Sequence, residues 1–400
     1  MKSKIISRET KGKLKQIKSK VDLNNIKSKY ILKKIFDNMK KNELLKLVKY
    51  NKTIQNRLNL SIKDYKEYSQ LFTPVEIEII PINNKFGRFI NRANEELVYY
   101  HIYFNDKKEE IKRNYLVKEE KVKKIKIIID YRVGSFKKLF DKCKCIESIC
   151  FKKFYTINIY DMSYMFSECE SLKKLVILNF NDINVYNMSY MFKECFSLVK
   201  LNLSKFNTNK VINMSYMFYS CSSLEELNIG NFNTNKVINM SNMFEKCRSI
   251  KILNLSNFNA INVINMSYMF SSCYSLEELN IANFNTNKVI NMKAMFNDCY
   301  SLKELNVSSF LTHNVTNMAM MFSGCKSLKE LNLSNFNTSN VTSMNCMFSH
   351  CSSLKELNIS NFNINNVNDM YHMFDFTSHE LVKKVRGQIN IPSYYEWYIR

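Results

Sequence analysis

Apolar side chains recur every 26 residues from Phe136 to the C-terminal part of the chain, without insertion or deletion. Methionine marks one position of the repeating unit, and cysteine marks the position seven residues later. These residues are Met162, Met188, Met214, Met240, Met266, Met292, Met318, Met344 and Met370, with Cys169, Cys195, Cys221, Cys247, Cys273, Cys299, Cys325 and Cys351. A fixed period of this length indicates a solenoid, in which each unit buries its apolar face against its neighbours.

The first half of the unit has the spacing of an amphipathic helix. Met214, Met217, Phe218 and Cys221 stand at i, i+3, i+4 and i+7, which predicts a short helix of about two turns. The position before each methionine holds Ser, Asp or Asn, as at Asn213, and these residue types are typical of a helix N-cap. Each coil is therefore expected to begin with a capped helix.

The second half of the unit predicts a strand and a stack of buried aromatic rings. Leu224, Leu227 and Ile229 alternate across a short strand, and Asn-Thr-Asn then forms a polar turn. The ring that follows the strand is expected to stack on its equivalents in neighbouring coils, at Phe180, Phe206, Phe232, Phe258, Phe284, Phe310, Phe336 and Phe362. The predicted fold is an α/β repeat solenoid with one short strand and one short helix per coil.

The unit also resembles known repeats. Its Leu-x-x-Leu-Asn-Leu/Ile segment resembles a leucine-rich repeat, and Asn-Met-Ser-Tyr-Met-Phe-x-x-Cys-x-Ser-Leu is similar to the BspA-type leucine-rich repeat family. The resemblance covers about residues 136–376. It implies the solenoid fold, and it implies protein binding of the kind seen in surface members of that family, which normally carry an export signal.

The first third of the chain has a different character. Ile31, Leu32, Ile35, Phe36 and Met39 fit one helical face, and Leu44–Val48 fits a second helix. Together with Asn51-Lys52 they faintly resemble an F-box, the helical module that docks an adaptor of cullin ubiquitin ligases, although the opening Leu-Pro and the later Trp of that module are missing. A plain helical bundle is the simpler interpretation.

Four regions are expected from these changes in pattern. Alternating β-prone runs between residues 76 and 130 predict a β-rich cap over the first coil, because an open solenoid end exposes apolar edges. The predicted regions are a basic helical module at 1–70, the β-rich cap at 71–134, the solenoid at 135–376 and a C-terminal cap at 377–400.

Composition limits the partners and the compartment. Most of the formal charge of +23 lies in the first 135 residues, and such a basic segment attracts nucleic acid, anionic membrane or acidic protein. Its lysines are scattered without interleaved stacking aromatics, so a solvated surface is the favoured interpretation. The N-terminus lacks the apolar core of an export signal, and the ladder cysteines are expected to be free and buried, which predicts a cytoplasmic protein. The Asn-x-Ser/Thr triplets are expected to be structural.

The residues predict recognition rather than catalysis. The five histidines show no metal spacing, there is no phosphate loop, and no cofactor, metal or catalytic residue is expected. Partner binding is assigned to side chains that vary at fixed positions of the unit: Tyr164, Tyr190, Tyr216, Tyr268, Tyr274, Tyr300, Glu278, Glu304, Glu330 and Glu356. The predicted function is a non-enzymatic protein–protein interaction scaffold. The alternatives are an F-box-like adaptor and a cell-surface adhesin.

Overall fold

A computed structural model describes residues 26–37, 51–59, 74–129, 133–154, 159–177 and 184–389. The chain divides into two compact units, Met1–Phe72 and Thr73–Arg400. In the first unit, helices α1 (Lys29–Asp37) and α2 (Lys52–Arg57) are described, and the Asn51 side chain caps α2 by accepting from Ile54 N at 3.1 Å. The helix predicted at Leu44–Val48 lies outside the described residues, so the F-box resemblance stays a prediction.

The second unit begins with the β-rich cap predicted from the sequence. Its main sheet joins β1 (Val75–Pro81), β3 (Tyr100–Phe104), β4 (Glu110–Ile111) and β6 (Ile125–Ile129) in antiparallel pairs. Alternate residues of β1, β3 and β6 are buried, which is the burial that their sequence alternation predicts. A 3₁₀ helix (Asn94–Tyr99) and a small two-stranded antiparallel sheet of β2 (Gly87–Arg88) with β5 (Tyr115–Leu116) complete the cap.

The cap and the solenoid share one sheet. Strand β7 (Ile146–Lys153) belongs to the first coil and pairs antiparallel with β1, while its other edge pairs parallel with β8 (Lys174–Ile177) of the next coil. The cap therefore covers the backbone groups that the first coil would otherwise leave unpaired.

Six of the later coils place a short strand at the predicted segment, and these strands form three parallel pairs. They are β9 (Lys200–Asn202), β10 (Glu226–Asn228), β11 (Ile252–Asn254), β12 (Glu278–Asn280), β13 (Glu330–Asn332) and β14 (Glu356–Asn358). Residues 304–306 occupy the same position in another coil and form no strand. The predicted aromatic spine is confirmed from Phe232 to Phe336, with ring centroids 6.2–6.5 Å apart. Phe180 lies outside the described residues. A second spine, from Phe140 to Phe374, stacks more closely, at 5.3–5.8 Å.

The predicted helix in each coil is wrong. In Met214–Cys221, Met217 N bonds to Met214 O at 3.3 Å and Cys221 N bonds to Phe218 O at 3.1 Å. Tyr216 and Ser220, the third residues of these two turns, have φ of +57° and +58°. Two consecutive type II turns therefore replace the helix, because that turn type requires a positive φ at its third residue. Turns of four residues place the same side chains inward as a helix does, so the apolar spacing did not distinguish them.

The backbone of Met214–Cys221 shows why the turns prevail. Each N–H in the segment finds an acceptor, alternately in the next coil and in its own coil. The bonds to the next coil run from Met214 N to Asn239 O (3.0 Å), Tyr216 N to Ser241 O (2.9 Å), Phe218 N to Met243 O (2.9 Å) and Ser220 N to Glu245 O (2.7 Å). A helix would keep these donors inside one coil and would leave adjacent coils unjoined.

The predicted N-caps are a row of bridging asparagines instead. Neighbouring coils form parallel bridges at this position, from Ser135 through Asn213 and Asn239 to Asp369. The Asn213 side chain accepts from Ser215 N at 3.0 Å, which closes a turn of the chain on itself. Helix capping and this Asx turn use the same short polar acceptors. The prediction of a backbone-bonding polar side chain is therefore correct, whereas the predicted helix is not present.

Left-handed backbone recurs at two positions of every coil. The first position includes Tyr164, Tyr190, Tyr216, Asn242, Tyr268, Ala294, Met320, Cys346 and His372, and the second includes Glu168, Glu194, Ser220, Lys246, Ser272, Asp298, Gly324, His350 and Phe376. Neither set contains Val, Ile or Thr, although the chain is rich in them. Branching at Cβ makes a positive φ especially costly, so this exclusion was a signal in the sequence for the turns.

This geometry predicts opposite effects for two substitutions at Ser220. Ser220→Gly should raise the free energy of unfolding by about 0.5–1 kcal/mol, because relief of left-handed strain exceeds the entropy cost of glycine. Ser220→Val should lower it by about 1–2 kcal/mol or more. Urea melts followed by circular dichroism measure both. Ser222 is the control, because it has no positive φ. If Ser222→Gly stabilised the chain and Ser222→Val destabilised it to the same extent as at Ser220, the assignment of the turns would be contradicted.

The last coil is closed by helix α3 (His379–Arg386). Leu381, Val382 and Val385 are buried, and the Ser378 hydroxyl caps the helix by accepting from Leu381 N at 3.2 Å. Beyond α3, Gln388 bonds the exposed edge of the final strand, accepting from Ile359 N and donating to Leu357 O, both at 2.8 Å. In three earlier coils the N–H equivalent to that of Ile359 bonds to the next coil, as Leu333 N does to Asn358 O at 2.8 Å. The Gln388 side chain therefore makes hydrogen bonds to the strand edge that the backbone of a further coil would make.

Candidate protein-binding surfaces

Three of the predicted tyrosines form one column, Tyr164–Tyr190–Tyr216, called here the first tyrosine column. Successive ring centroids are 4.5 Å apart and the rings are within 6° of parallel. Lys138 Nζ lies 5.3 Å from the Tyr164 centroid and covers one end. The rings are half-buried. Their faces are occupied by each other, so the column exposes ring edges and hydroxyls at the surface.

Burial within the column changes the acidity of its central residue. Burial of the phenol raises the pKa of Tyr190 to about 12, and the neighbouring hydroxyls of Tyr164 and Tyr216 act in the same direction. The column therefore stays uncharged at neutral pH. Tyr268 is separate from it, because Asn242 occupies the intervening coil; Lys293 Nζ lies 5.8 Å from the Tyr268 ring centroid.

Tyr274 and Tyr300 form a second tyrosine column, at the position after the ladder cysteine. Their centroids are 4.8 Å apart and their planes differ by 3°. Arg248 covers the Tyr274 ring at 5.3 Å, and Lys326 covers the Tyr300 ring at 4.3 Å. A cation at each end stabilises such a stack by about 0.5–1 kcal/mol. Burial, followed by the nearby Asp298 carboxylate, raises the pKa of Tyr300.

The predicted glutamates lie exposed on the strand side of the solenoid. Glu304, Glu330 and Glu356 line one groove of about 690 Å³, whose floor includes Leu331 and Leu357. Glu278 lies on β12 and does not line it. Lys384 Nζ contacts Glu356 at 2.8 Å, whereas Glu304 and Glu330 form no ion pair with any described residue.

The asparagines beside these glutamates are largely committed to the chain itself. Asn306 Oδ1 and Asn332 Oδ1 accept from Ser308 N and Ser334 N, both at 3.0 Å, and Asn358 accepts from Ser360 N at 3.2 Å. Each bond closes a turn two residues further along. The Asn row is therefore mainly structural, and the exposed glutamates are the candidate contact residues on this side.

One exposed surface was missed by the sequence reasoning. Tyr160, Tyr186, Ile212, Ile238, Ile264 and Ile290 occupy the last position of the unit in six consecutive coils, and they form what is called here the apolar stripe. Each side chain is between 40% and 55% exposed. The preceding Val or Ile is buried in each coil, for example Val237 before Ile238. That alternation was the available signal, since an inward residue on extended backbone implies an outward one next to it.

The ladder cysteines are enclosed by the coils and have a hydrogen-bonding role. Each thiol donates to the phenylalanine carbonyl of the preceding coil, as Cys221 Sγ does to Phe192 O at 3.0 Å and Cys247 Sγ does to Phe218 O at 3.1 Å. Burial raises the pKa of Cys221, Cys273 and Cys351 to about 12. Such thiols are poor nucleophiles, because the thiolate is the reactive form.

Neither a metal centre nor a membrane-crossing helix is found in the part of the chain that is described. No group of three or more His, Cys, Asp or Glu side chains there is placed to hold a metal ion. None of the described helices has the length and apolar content needed to cross a bilayer.

The fold defines a leucine-rich-repeat-like solenoid, with a paired strand on one side and stacked turns on the other. Residues 134–253, 224–310 and 302–386 match the family described as "Mycoplasma protein of unknown function, DUF285". These matches together span more than half of the chain, and the protein belongs to this family. No match is found among curated proteins.

Similar solved structures include other leucine-rich proteins. A leucine rich cell surface protein of Faecalibacterium prausnitzii is 14% identical, with 56% of this chain and 75% of that chain covered and a TM-score of 0.24. An LRR protein of Leptospira interrogans is 13% identical, with 58% and 74% covered and a TM-score of 0.21. The TLR13 chain of a TLR13–ssRNA13 complex is 20% identical with a TM-score of 0.31; the match covers 50% of this chain and only 28% of that chain.

Proposed function

We propose that the protein is a non-enzymatic scaffold that recognises protein partners on the surface of its solenoid, through the two tyrosine columns. The observation that carries the proposal is the regular stacking of half-exposed tyrosines on consecutive coils, 4.5 Å apart in Tyr164–Tyr190–Tyr216. Tyrosine is among the residues that contribute most to protein interfaces.

Stacking also prepares these rings for binding. A tyrosine that is already held between neighbours loses little side-chain freedom when a partner arrives, so less of the contact energy is offset by ordering. The hydroxyls along the column edge supply hydrogen bonds, and Lys138 and Arg248 supply charge near the two columns. The BspA-type resemblance of the repeat supports the same interpretation.

The proposal places the scaffold in a reducing compartment such as the cytoplasm. Its support is the use of the ladder thiols as hydrogen-bond donors: Cys195, Cys273 and Cys299 donate to carbonyls of the preceding coil at 3.1–3.2 Å. A structural thiol of this kind depends on a reduced sulfur.

The test is affinity capture with the full chain as bait, followed by measurement of Kd for the captured partner. Tyr190→Ala and Tyr274→Ala should each weaken binding by about 1–2 kcal/mol, which is about five- to thirtyfold in Kd. Tyr190→Phe is the matched control, because it keeps the stack and removes only the hydroxyl, and it should weaken binding less. A partner whose Kd is unchanged by both alanine variants would contradict the proposal.

A further inference from the structure

The apolar stripe ends abruptly on both sides, because the residue at the equivalent position of the unit is no longer a large apolar one. At its amino end, the equivalent position just before the first coil is Gly134, and a Cβ added there would lie 3.2 Å from the Tyr160 ring. At its carboxyl end, the next two coils have Thr316 and Thr342, both exposed. With coils about 4.8 Å apart, the six stripe residues extend over about 24 Å.

The backbone beneath the stripe is fully paired between coils. Ile238 N donates to Ile212 O and Ile264 N donates to Ile238 O, both at 2.8 Å, and the pairing continues through Ile290 N to Ile264 O at 2.9 Å. An added β-strand needs free N–H and C=O groups along an edge, and the stripe offers none. A partner must therefore bind through side chains.

Lysines border the stripe on one side. Lys210, Lys236 and Lys288 are exposed two residues before Ile212, Ile238 and Ile290, with one buried residue between each pair. Lys210 Nζ and Lys288 Nζ each contact an asparagine oxygen at 2.7 Å. Within the described residues, none of the three lysines forms an ion pair with a carboxylate, so their charge is available to a partner.

We propose that the apolar stripe docks an acidic amphipathic α-helix of a partner protein. A helix repeats its apolar face about every 5.4 Å, close to the spacing of the coils, and about 16 residues cover the length of the stripe. Carboxylates beside that apolar face would meet Lys210, Lys236 and Lys288. This inference rests on the proposed function, since it specifies the class of partner.

Two other occupants fit the surface less well. A second copy of this chain would bring together two molecules that each carry a formal charge of +23. A lipid surface would also cover the half-buried bridging asparagines next to the stripe, such as Asn239 and Asn265, and their polar groups would lose water without gaining partners. A helix contacts the stripe alone and leaves those asparagines at the rim.

The test uses a stapled helical peptide of about 18 residues, with leucines at i, i+3, i+4 and i+7 and glutamates beside them. Fluorescence anisotropy measures its binding to the full chain. The acidic peptide should bind at least about tenfold more tightly than the same peptide with lysine at each glutamate. The triple variant I212T/I238T/I264T, which keeps branched side chains and removes the apolar surface, should bind it about tenfold more weakly.

A second variant, which adds apolar contacts, keeps the inference testable if the triple variant misfolds. T316I/T342I extends the stripe by two coils and should tighten binding by about two- to fivefold. Absence of binding at about 1 mM peptide, equal binding of both peptides, or an unchanged Kd in the triple variant would overturn the inference. Binding of the unmodified chain to phosphatidylglycerol vesicles that the triple variant loses would also overturn the inference, because it would indicate a membrane-binding surface. If captured partners still depend on Tyr190 and Tyr274 while the peptide does not bind, only this inference fails.

Discussion

The solenoid is expected to unfold steeply as the pH rises above about 9, because its buried thiols cannot ionise while the coils are stacked. The ordinary thiol pKa is 9.0, and burial raises the pKa of Cys221, Cys273 and Cys351 to about 12. Burial also raises the pKa of the other ladder cysteines, Cys169, Cys195, Cys247, Cys299 and Cys325. Above pH 9, therefore, only the unfolded chain releases these protons.

The direction of the effect follows from the raised folded-state pKa. The stabilisation is fully present below about pH 9 and declines as the pH rises towards about 12. Each such thiol removes about 1.4 kcal/mol per pH unit, so eight of them remove roughly 11 kcal/mol per unit. Whole domains are stable by only about 5–15 kcal/mol, so the transition should fall within about one pH unit.

The measurement combines circular dichroism with the ultraviolet absorbance of thiolate during an alkaline titration. Both signals should change together, because ionisation requires unfolding. Cys247→Ser should make the transition less steep, since a hydroxyl can still donate to Phe218 O but does not titrate in this range. A rise in thiolate absorbance that corresponds to most of the eight ladder thiols, while the dichroism stays native, would contradict their enclosure.

The second large effect is expected at the aromatic spine. Phe258 is fully buried and lies between Phe232 and Phe284, with ring centroids 6.2 and 6.5 Å away. Phe258→Ala should lower the free energy of unfolding by about 3–5 kcal/mol, because it leaves a cavity that the neighbouring coils cannot fill. Urea melts followed by circular dichroism measure the loss.

The matched comparison is Asn239→Ala, at the surface of the same coil. It removes the bond from Ser241 N to Asn239 Oδ1 at 2.9 Å and leaves the backbone bridge in place, so the expected loss is about 1 kcal/mol. Phe258→Leu should fall between the two, since it keeps part of the apolar volume. Equal losses for the two alanine variants would mean that the inside and outside of the coil are assigned wrongly.

The sequence predicted much of the core because burial follows directly from side-chain type. Met214, Met217, Phe218 and Cys221 all point inward, as their spacing indicated. The predicted stack at Phe258 and the strand around Leu227 are also present. These features can be predicted from the repeat period and from the polarity of each position. Such a prediction does not require the exact path of the backbone.

The binding surfaces were less accessible to prediction, because they depend on which residues stack on the outside. The sequence aligned Tyr164, Tyr190 and Tyr216 in one row, but only the coil spacing shows that their faces cover each other. The apolar stripe was missed at Ile238 and its equivalents, since a single exposed isoleucine per unit is unremarkable until the coils are placed side by side.

The sequence by itself determined the period, the inward residues and the polar corners, because the same residues recur at the same places in every coil. Only the tertiary structure decided that Met214–Cys221 forms two turns rather than a helix. Both elements bury the same side chains, and they differ in where the N–H groups of Tyr216 and Phe218 bond. Those donors reach carbonyls in the next coil, and that choice exists only after the coils have stacked.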